Sequence, residues 1–134
     1  MSSKIISPGF KERPGAGFVT EPSTRLDIAA LGELADHGYS EDEIFALVVP
    51  KRTLARRRAA HERLTIEETD KAQRLARIAD HAERVFGANK KAHRWMRKPK
   101  RELNGETPLA YLASEIGARI VEEMLFRIEH GIFA

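Results

Sequence analysis

The chain has 134 residues, of which 42% are apolar and 32% are charged, and its formal net charge at pH 7 is +3. That length supports one compact domain, or two small domains that share a core. The absence of cysteine excludes a disulfide scaffold and thiolate metal sites. The sequence has no secretory segment and no run of roughly 18 apolar residues, so we expect a cytoplasmic protein that is not associated with a membrane.

The first part of the chain differs in composition from the rest. Residues 1–22 contain three prolines and three glycines without periodicity, which predicts a flexible N-terminal arm. From Pro22 onward apolar residues recur at helical spacing, and no segment shows the alternation that is typical of strands. The sequence therefore predicts an all-α fold. The first helix is expected at about 23–36, ending at His37 and Gly38.

A sharp change of charge follows this helix. Residues 40–49 hold three carboxylates and no basic side chain, whereas residues 50–63 hold six basic side chains and one glutamate. Ser40 and Glu43 form the capping-box pattern of a helix start, and Pro50 suits the first turn of the next helix. Two short helices joined by a tight turn, the second of them basic, have the outline of a helix-turn-helix DNA reader.

The basic helix has one natural core residue, Leu54, which leaves its other side for DNA. Arginine and lysine there can contact phosphates or guanine edges. Because one helix-turn-helix unit buries too little surface for tight binding, we expect a homodimer on operator DNA. A helical hairpin with a merely solvated basic face stays open as the alternative. The predicted DNA-binding residues are Lys51, Arg52, Thr53, Arg56 and Arg57.

Three further helical stretches are expected. Thr65 and Glu68 repeat the capping-box pattern and open a long helix at about 65–86. A basic helix at about 89–98 ends at Pro99, and residues 90–101 hold seven basic side chains and no acid. Ser114 begins the last helix, which continues to His130, after a short helix that Thr107 caps at Pro108.

The last quarter of the chain is acidic, with five glutamates against two arginines in residues 106–130. The last helix carries an apolar stripe, on which Gly117 allows the close approach of another backbone. Phe126 lies off this stripe, and the chain ends in an apolar tip. The stripe consists of Ile120, Val121, Met124, Leu125 and Ile128.

No catalytic or metal-binding pattern is present in the sequence. The five histidines have no HxxxH spacing, and there is no glycine-rich phosphate loop, no GxSxG turn and no cysteine nucleophile. We therefore predict a binding protein that is not an enzyme and that uses no cofactor or metal.

Short motifs in a fixed order connect the chain with a known family. From about residue 25 to residue 132 the sequence resembles the Xre/MbcA/ParS type II antitoxins. The motifs that carry this resemblance are residues 50–58 (PKRTLARRR), 67–78 (EETDKAQRLARI), 85–87 (VFG), 92–95 (AHRW), 103–109 (LNGETPL), 115–122 (EIGARIVE) and 127–131 (RIEHG).

The resemblance implies two functional regions. Residues 23–64 would form an Xre-like helix-turn-helix, and residues 65–134 a small helical region for toxin binding and dimerisation. The implied partner is a RES-domain toxin that destroys NAD, whose active site the antitoxin covers. The implied second role is binding to the promoter of the antitoxin's own operon, alone or together with the toxin.

We also predict which residues reach the toxin. A pocket that holds the pyrophosphate of NAD accepts anions, so an acidic, apolar-tipped chain end with a free carboxylate suits it. The alternatives are a tail that only closes the core, a DNA-binding regulator without a toxin, and an interaction module that has lost DNA binding. The predicted toxin-binding residues are Phe126, Glu129, His130, Gly131, Ile132, Phe133 and Ala134.

Overall fold

The computed structural model describes residues 24–131, and all regular elements in this range are helices. The all-α prediction is thus confirmed. The predicted arm at 1–22 and the tip residues Ile132, Phe133 and Ala134 lie outside the described residues. The α-helices are α1 (Leu31–Asp36), α2 (Glu41–Leu47), α3 (Lys51–Ala59), α4 (Ile66–Phe86), α5 (Asn89–Met96), α6 (Pro108–Tyr111) and α7 (Glu115–Glu129), and 3-10 turns lie at Ile28–Ala30 and Arg101–Leu103.

Side-chain caps set several of these helix starts. Before α2, the Ser40 hydroxyl accepts from the Glu43 N–H at 3.1 Å, and the Glu43 carboxylate accepts from the Ser40 N–H at 2.8 Å. Before α4, the Thr65 hydroxyl likewise accepts from the Glu68 N–H at 3.0 Å, and the Glu68 carboxylate accepts from the Thr65 N–H at 2.9 Å. Both predicted capping boxes are confirmed. Each satisfies backbone donors that the first helical turn leaves without an intrahelical partner.

The chain divides into two compact units, between Gln73 and Arg74 inside α4. The division is later in the chain than the boundary predicted after residue 64. The start of α4 is built into the first unit, where the fully buried Thr69 accepts a 3.0 Å hydrogen bond from the Leu26 N–H. None of the described helices has both the length and the apolar character that are needed to cross a bilayer.

In the first unit, the entering chain is fastened to the segment before α4. The Leu64 N–H donates to the Leu26 carbonyl at 3.0 Å, and the Arg25 guanidinium donates to the Leu64 carbonyl at 2.7 Å. Both leucine side chains are buried. This pairing keeps residues 24–27 out of a helix, and Asp27 then caps the 3-10 turn. The first helix consequently begins later than residue 23, where the sequence pattern had placed it.

The second unit contains the later part of α4 together with α5, α6 and α7. Helix α7 approaches α6 closely at Gly117, where an added Cβ would collide with the carbonyl oxygen of Tyr111. The predicted close approach of a backbone to Gly117 is confirmed. The fully buried apolar side chains of this unit include Leu75, Ile78, Met96, Leu112, Val121 and Leu125.

Candidate functional surfaces

The turn between α2 and α3 is held by two buried valines. Val48 and Val49 are 4% and 0% exposed, and the Val48 N–H continues the α2 hydrogen-bond pattern to the Ile44 carbonyl at 2.8 Å. Pro50 is the extended N-cap residue of α3 rather than its first helical residue. Burial of the turn fixes the direction in which α3 leaves α2.

Helix α3 presents part of its basic run to solvent. Leu54 is buried, as predicted, while Lys51, Arg52 and Arg56 are exposed and Thr53 is half-buried. Arg52 and Arg56 are four residues apart and therefore lie on one side of the helix. The small side chains of Ala55 and Ala59 are exposed on the same side. Helix α3 thus has a shallow face with two protruding guanidinium groups.

Arg57 does not lie on this face, which corrects the prediction that it faces outward. Its guanidinium donates to the Glu68 carboxylate at 3.0 Å and lies 3.5 Å from the Glu62 carboxylate. The Arg57 and Glu68 side chains are only 14% and 12% exposed. The sequence carried a signal for this inward position. Arg57 follows the core residue Leu54 by three positions, and residues at i and i+3 lie on the same side of a helix.

Helix α3 ends at Ala59, earlier than the predicted basic helix at 50–63. His61 adopts a left-handed conformation with a φ of 56°, and the Glu62 N–H turns back to the Arg57 carbonyl at 2.9 Å. This reversal brings the following chain to its pairing with Leu26. The helix therefore stops where the long-range pairing begins.

Helix α7 has a buried face and an exposed outer face that carries both large apolar and charged side chains. Val121, Met124 and Leu125 are buried, whereas three large apolar side chains on the other side are exposed. Ile120, which the sequence pattern placed in the apolar stripe of this helix, is one of these exposed side chains. The exposed fractions are 76% for Ile116, 39% for Ile120 and 50% for Phe126.

Four of the predicted toxin-binding residues lie at the described end of α7. The Phe126 ring packs on the His130 ring with 4.2 Å between the ring centroids, and Gly131 follows with a φ of 68°. The carboxylate of Glu129 lies 3.1 Å from Nε2 of His81 on α4, and this hydrogen bond lowers the pKa of Glu129. Glu129 is thus partly engaged within the second unit, while Phe126 and His130 are exposed.

The beginning of α7 is held to α4 by a charged network. Arg74 and Arg77 approach the Glu115 carboxylate at 3.2 and 3.1 Å, and Arg77 also pairs with Glu122 at 2.9 Å. Burial acts to raise the pKa of Glu115, but the attraction of Arg77 and the hydrogen bond from Arg74 outweigh it and lower that pKa. The network fixes which face of α7 is turned to the core.

The basic segment at 90–101 forms a separate surface on the second unit. Lys90, Lys91 and Arg94 on α5 are exposed, while Ala92 and Met96 on the opposite side are fully buried. Trp95 packs on Phe86 at 5.5 Å between centroids and has the Lys100 Nζ 4.9 Å from its ring centroid. Burial, and then the neighbouring Lys98, lower the pKa of Lys100.

Comparisons with known proteins match both units. The model of the antitoxin Xre-like helix-turn-helix domain matches residues 23–77, and that of the antitoxin Xre/MbcA/ParS C-terminal toxin-binding domain matches residues 81–131. The chain is 43% identical over 84 residues to the antitoxin Xre of Pseudomonas putida, which covers 63% of the chain and 53% of that protein. It is 39% identical over 87 residues to the antitoxin Xre of Yersinia enterocolitica, and this match covers 64% of the chain and 59% of that protein. The chain therefore spans little more than half the length of these relatives.

A solved structure shares the fold. The crystal structure of the M. tuberculosis MbcT-MbcA toxin-antitoxin complex contains a chain that matches with a TM-score of 0.61 and 21% sequence identity, covering 80% of this chain and 96% of that one. The two domain matches follow each other in the order and at the positions of the two compact units. The chain, with an Xre-like helix-turn-helix domain followed by the toxin-binding domain, belongs to the Xre/MbcA/ParS antitoxin family.

Proposed function

We propose that this protein neutralises a cognate toxin by binding it with the outer face and the C-terminal end of α7. The toxin is a RES-domain protein that degrades NAD, in agreement with the family resemblance, and the antitoxin covers its active site without any chemistry of its own. The observation that carries the proposal is the exposed apolar face of α7, which lies within the matched toxin-binding domain.

The composition of this face is typical of a protein interface. Large exposed apolar side chains are a common mark of interaction sites, and an aromatic anchor such as Phe126 commonly carries much of the binding energy. The exposed Glu123 and His130 lie beside them and supply the polar rim that interfaces require.

Loss of the apolar face tests the proposal. The double variant Ile116→Ser/Phe126→Ser is expected to bind the co-expressed toxin at least about tenfold more weakly and to fail to restore growth. The control is Ile66→Ser, which replaces a large apolar side chain that is 48% exposed on the first unit, outside the proposed surface. Thermal unfolding shows whether each variant folds. A folded double variant that still protects cells and captures the toxin would refute the proposed surface.

The second part of the proposal concerns DNA. Helix α3 binds the operator with Lys51, Arg52, Thr53 and Arg56, and two copies of the chain read two half-sites as a homodimer. The exposed pair Arg52 and Arg56 supports this part, because guanidinium groups bind phosphates and guanine edges. Arg57 is excluded from the set by its ion pair with Glu68.

A double replacement tests the DNA-binding face. Arg52→Ala/Arg56→Ala is expected to weaken operator binding by about tenfold or more while toxin neutralisation continues. Arg58→Ala is the matched control, since Arg58 is exposed on the same helix but lies nearer the side of Leu54. Sedimentation with and without operator DNA measures the expected dimer. Specific DNA binding with no protection against any RES toxin would instead favour a regulator without a toxin partner.

A further inference from the structure

The basic segment at 90–101 is used by neither part of the proposed function. It holds seven lysines and arginines and no acid, and it belongs to the second unit rather than to the helix-turn-helix. We define the α5 patch as Lys90, Lys91, Arg94 and Lys98, all of which are exposed. Like the exposed face of α3, and unlike the outer face of α7, it carries charges of one sign.

The side chains of the α5 patch are available for a ligand. Lys90 and Arg94 are one helical turn apart, and Lys91 lies beside them on the side opposite the buried Met96. By contrast, two arginines of this unit, Arg74 and Arg77, pair with Glu115. Within the described part of the chain, no carboxylate pairs with the four residues of the patch.

We propose that the α5 patch binds the phosphate backbone of duplex DNA, as a sequence-independent contact in addition to that of α3. This inference rests on the DNA-binding part of the proposed function. Duplex DNA carries one negative charge about every 1.7 Å along its axis, so it matches an unbroken run of one sign. Protein surfaces usually mix both signs, and the exposed outer face of α7, with Arg119 and Glu123, is of that mixed kind.

A phosphate contact of this type has a measurable signature. Affinity for DNA falls as salt concentration rises. Each phosphate that a protein neutralises makes the plot of log affinity against log salt concentration steeper by about 0.9. Replacing three cations of the α5 patch is therefore expected to make this salt dependence shallower, by about 2 to 3 in the magnitude of the slope. Because backbone contacts carry no sequence information, the preference for the operator over a random duplex is expected to persist.

The fluorescence of Trp95 can report binding at the α5 patch. Trp95 is the single tryptophan of the chain, and it lies under Lys100 with 4.9 Å from Nζ to the ring centroid. DNA at the α5 patch attracts this ammonium group and changes the surroundings of the indole. The tryptophan emission is thus expected to change on DNA binding, including in Arg52→Ala/Arg56→Ala at low salt, where the contact of α3 is weakened.

The decisive experiment compares Lys90→Gln/Lys91→Gln/Arg94→Gln with the full wild-type chain, on operator and random duplexes of equal length over a range of salt concentrations. The matched control is Arg84→Gln/Arg119→Gln/Arg127→Gln, which removes the same charge from the same unit. The patch variant is expected to bind both duplexes about tenfold or more weakly with a lower slope, and the control is expected to keep the wild-type slope.

Two results would overturn the inference: a wild-type slope in the folded patch variant, or unchanged Trp95 emission at saturating DNA. A patch variant that loses the toxin but keeps its DNA slope would assign the patch to a protein partner and so also overturn it. If the wild-type chain does not prefer the operator over the random duplex, operator recognition by α3 is contradicted. The salt dependence of binding to the random duplex still tests the α5 patch in that case.

Discussion

At the scale of single residues, Arg57 shows how burial changes the role of a charge. It belongs by sequence to a run of cations, yet its guanidinium lies between Glu62 and Glu68 inside the first unit. Among the described side chains, its Nε is buried without a hydrogen-bond partner. The carboxylate of Glu68 therefore supplies most of the compensation for taking this cation out of water, and the pair joins α3 to α4.

We predict that Glu68→Ala destabilises the protein by about 2 to 3 kcal/mol, because it leaves a largely buried cation uncompensated and removes the cap of α4. Urea unfolding measures the free energy. Glu67→Ala removes an exposed neighbouring carboxylate and is expected to cost less than about 1 kcal/mol. Equal losses in the two variants would show that the ion pair contributes nothing.

A second residue-scale prediction concerns pH. The folded-state pKa of Glu115 lies below the ordinary 4.5, so its ion pairs stabilise the protein fully above pH 4.5 and lose their effect as the pH falls through the folded pKa. Glu115→Gln is expected to be less stable than the wild type at pH 7, with a smaller loss of stability in acid. Unfolding measured from pH 7 to pH 3 checks this, and parallel curves for both proteins would contradict it.

At the scale of elements, the helix starts follow from local chemistry. An N-cap needs only a side chain and the backbone N–H two or three residues later. The N-cap residues can therefore be recognised in the sequence, and they are Ser40, Thr65, Thr107 and Ser114. Helix α1 differs, because its start is decided by the pairing of residues 24–27 with Leu64. Contacts over such a sequence separation leave no periodic signal.

The contact between α6 and α7 gives a prediction with an internal control. Gly117→Ala is expected to cost about 2 kcal/mol or more, because the new methyl group would collide with the backbone carbonyl of Tyr111. Gly32→Ala in α1 meets no atom within 4 Å and is expected to be neutral or to stabilise by about 0.5 kcal/mol. Thermal unfolding measures both, and an unchanged melting temperature for Gly117→Ala would refute the close approach.

At the scale of the whole molecule, the two units are predicted to carry separable activities. Deleting residues 129–134 is expected to abolish toxin neutralisation while the rest of the chain stays folded, since the side chain of Glu129 is 37% exposed and contributes one pair with His81. Growth under toxin expression and thermal unfolding are the two measurements. Glu106→Gln, which removes an exposed carboxylate of the same unit outside α7 and keeps the tail, is the control and is expected to neutralise. Full protection by the deleted protein would exclude the tail from toxin binding.

The helical fold, the capped helix starts and the basic character of α3 can be predicted from the sequence, because each depends on residues close together in the chain. Three findings required the folded structure: Arg57 is internal, Ile120 faces outward, and the two units divide inside α4. These outcomes depend on groups far apart in sequence, such as Leu26 with Thr69 and Gly117 with Tyr111. Helical periodicity predicts which residues share a face, and the packing of other elements decides which of those faces is buried.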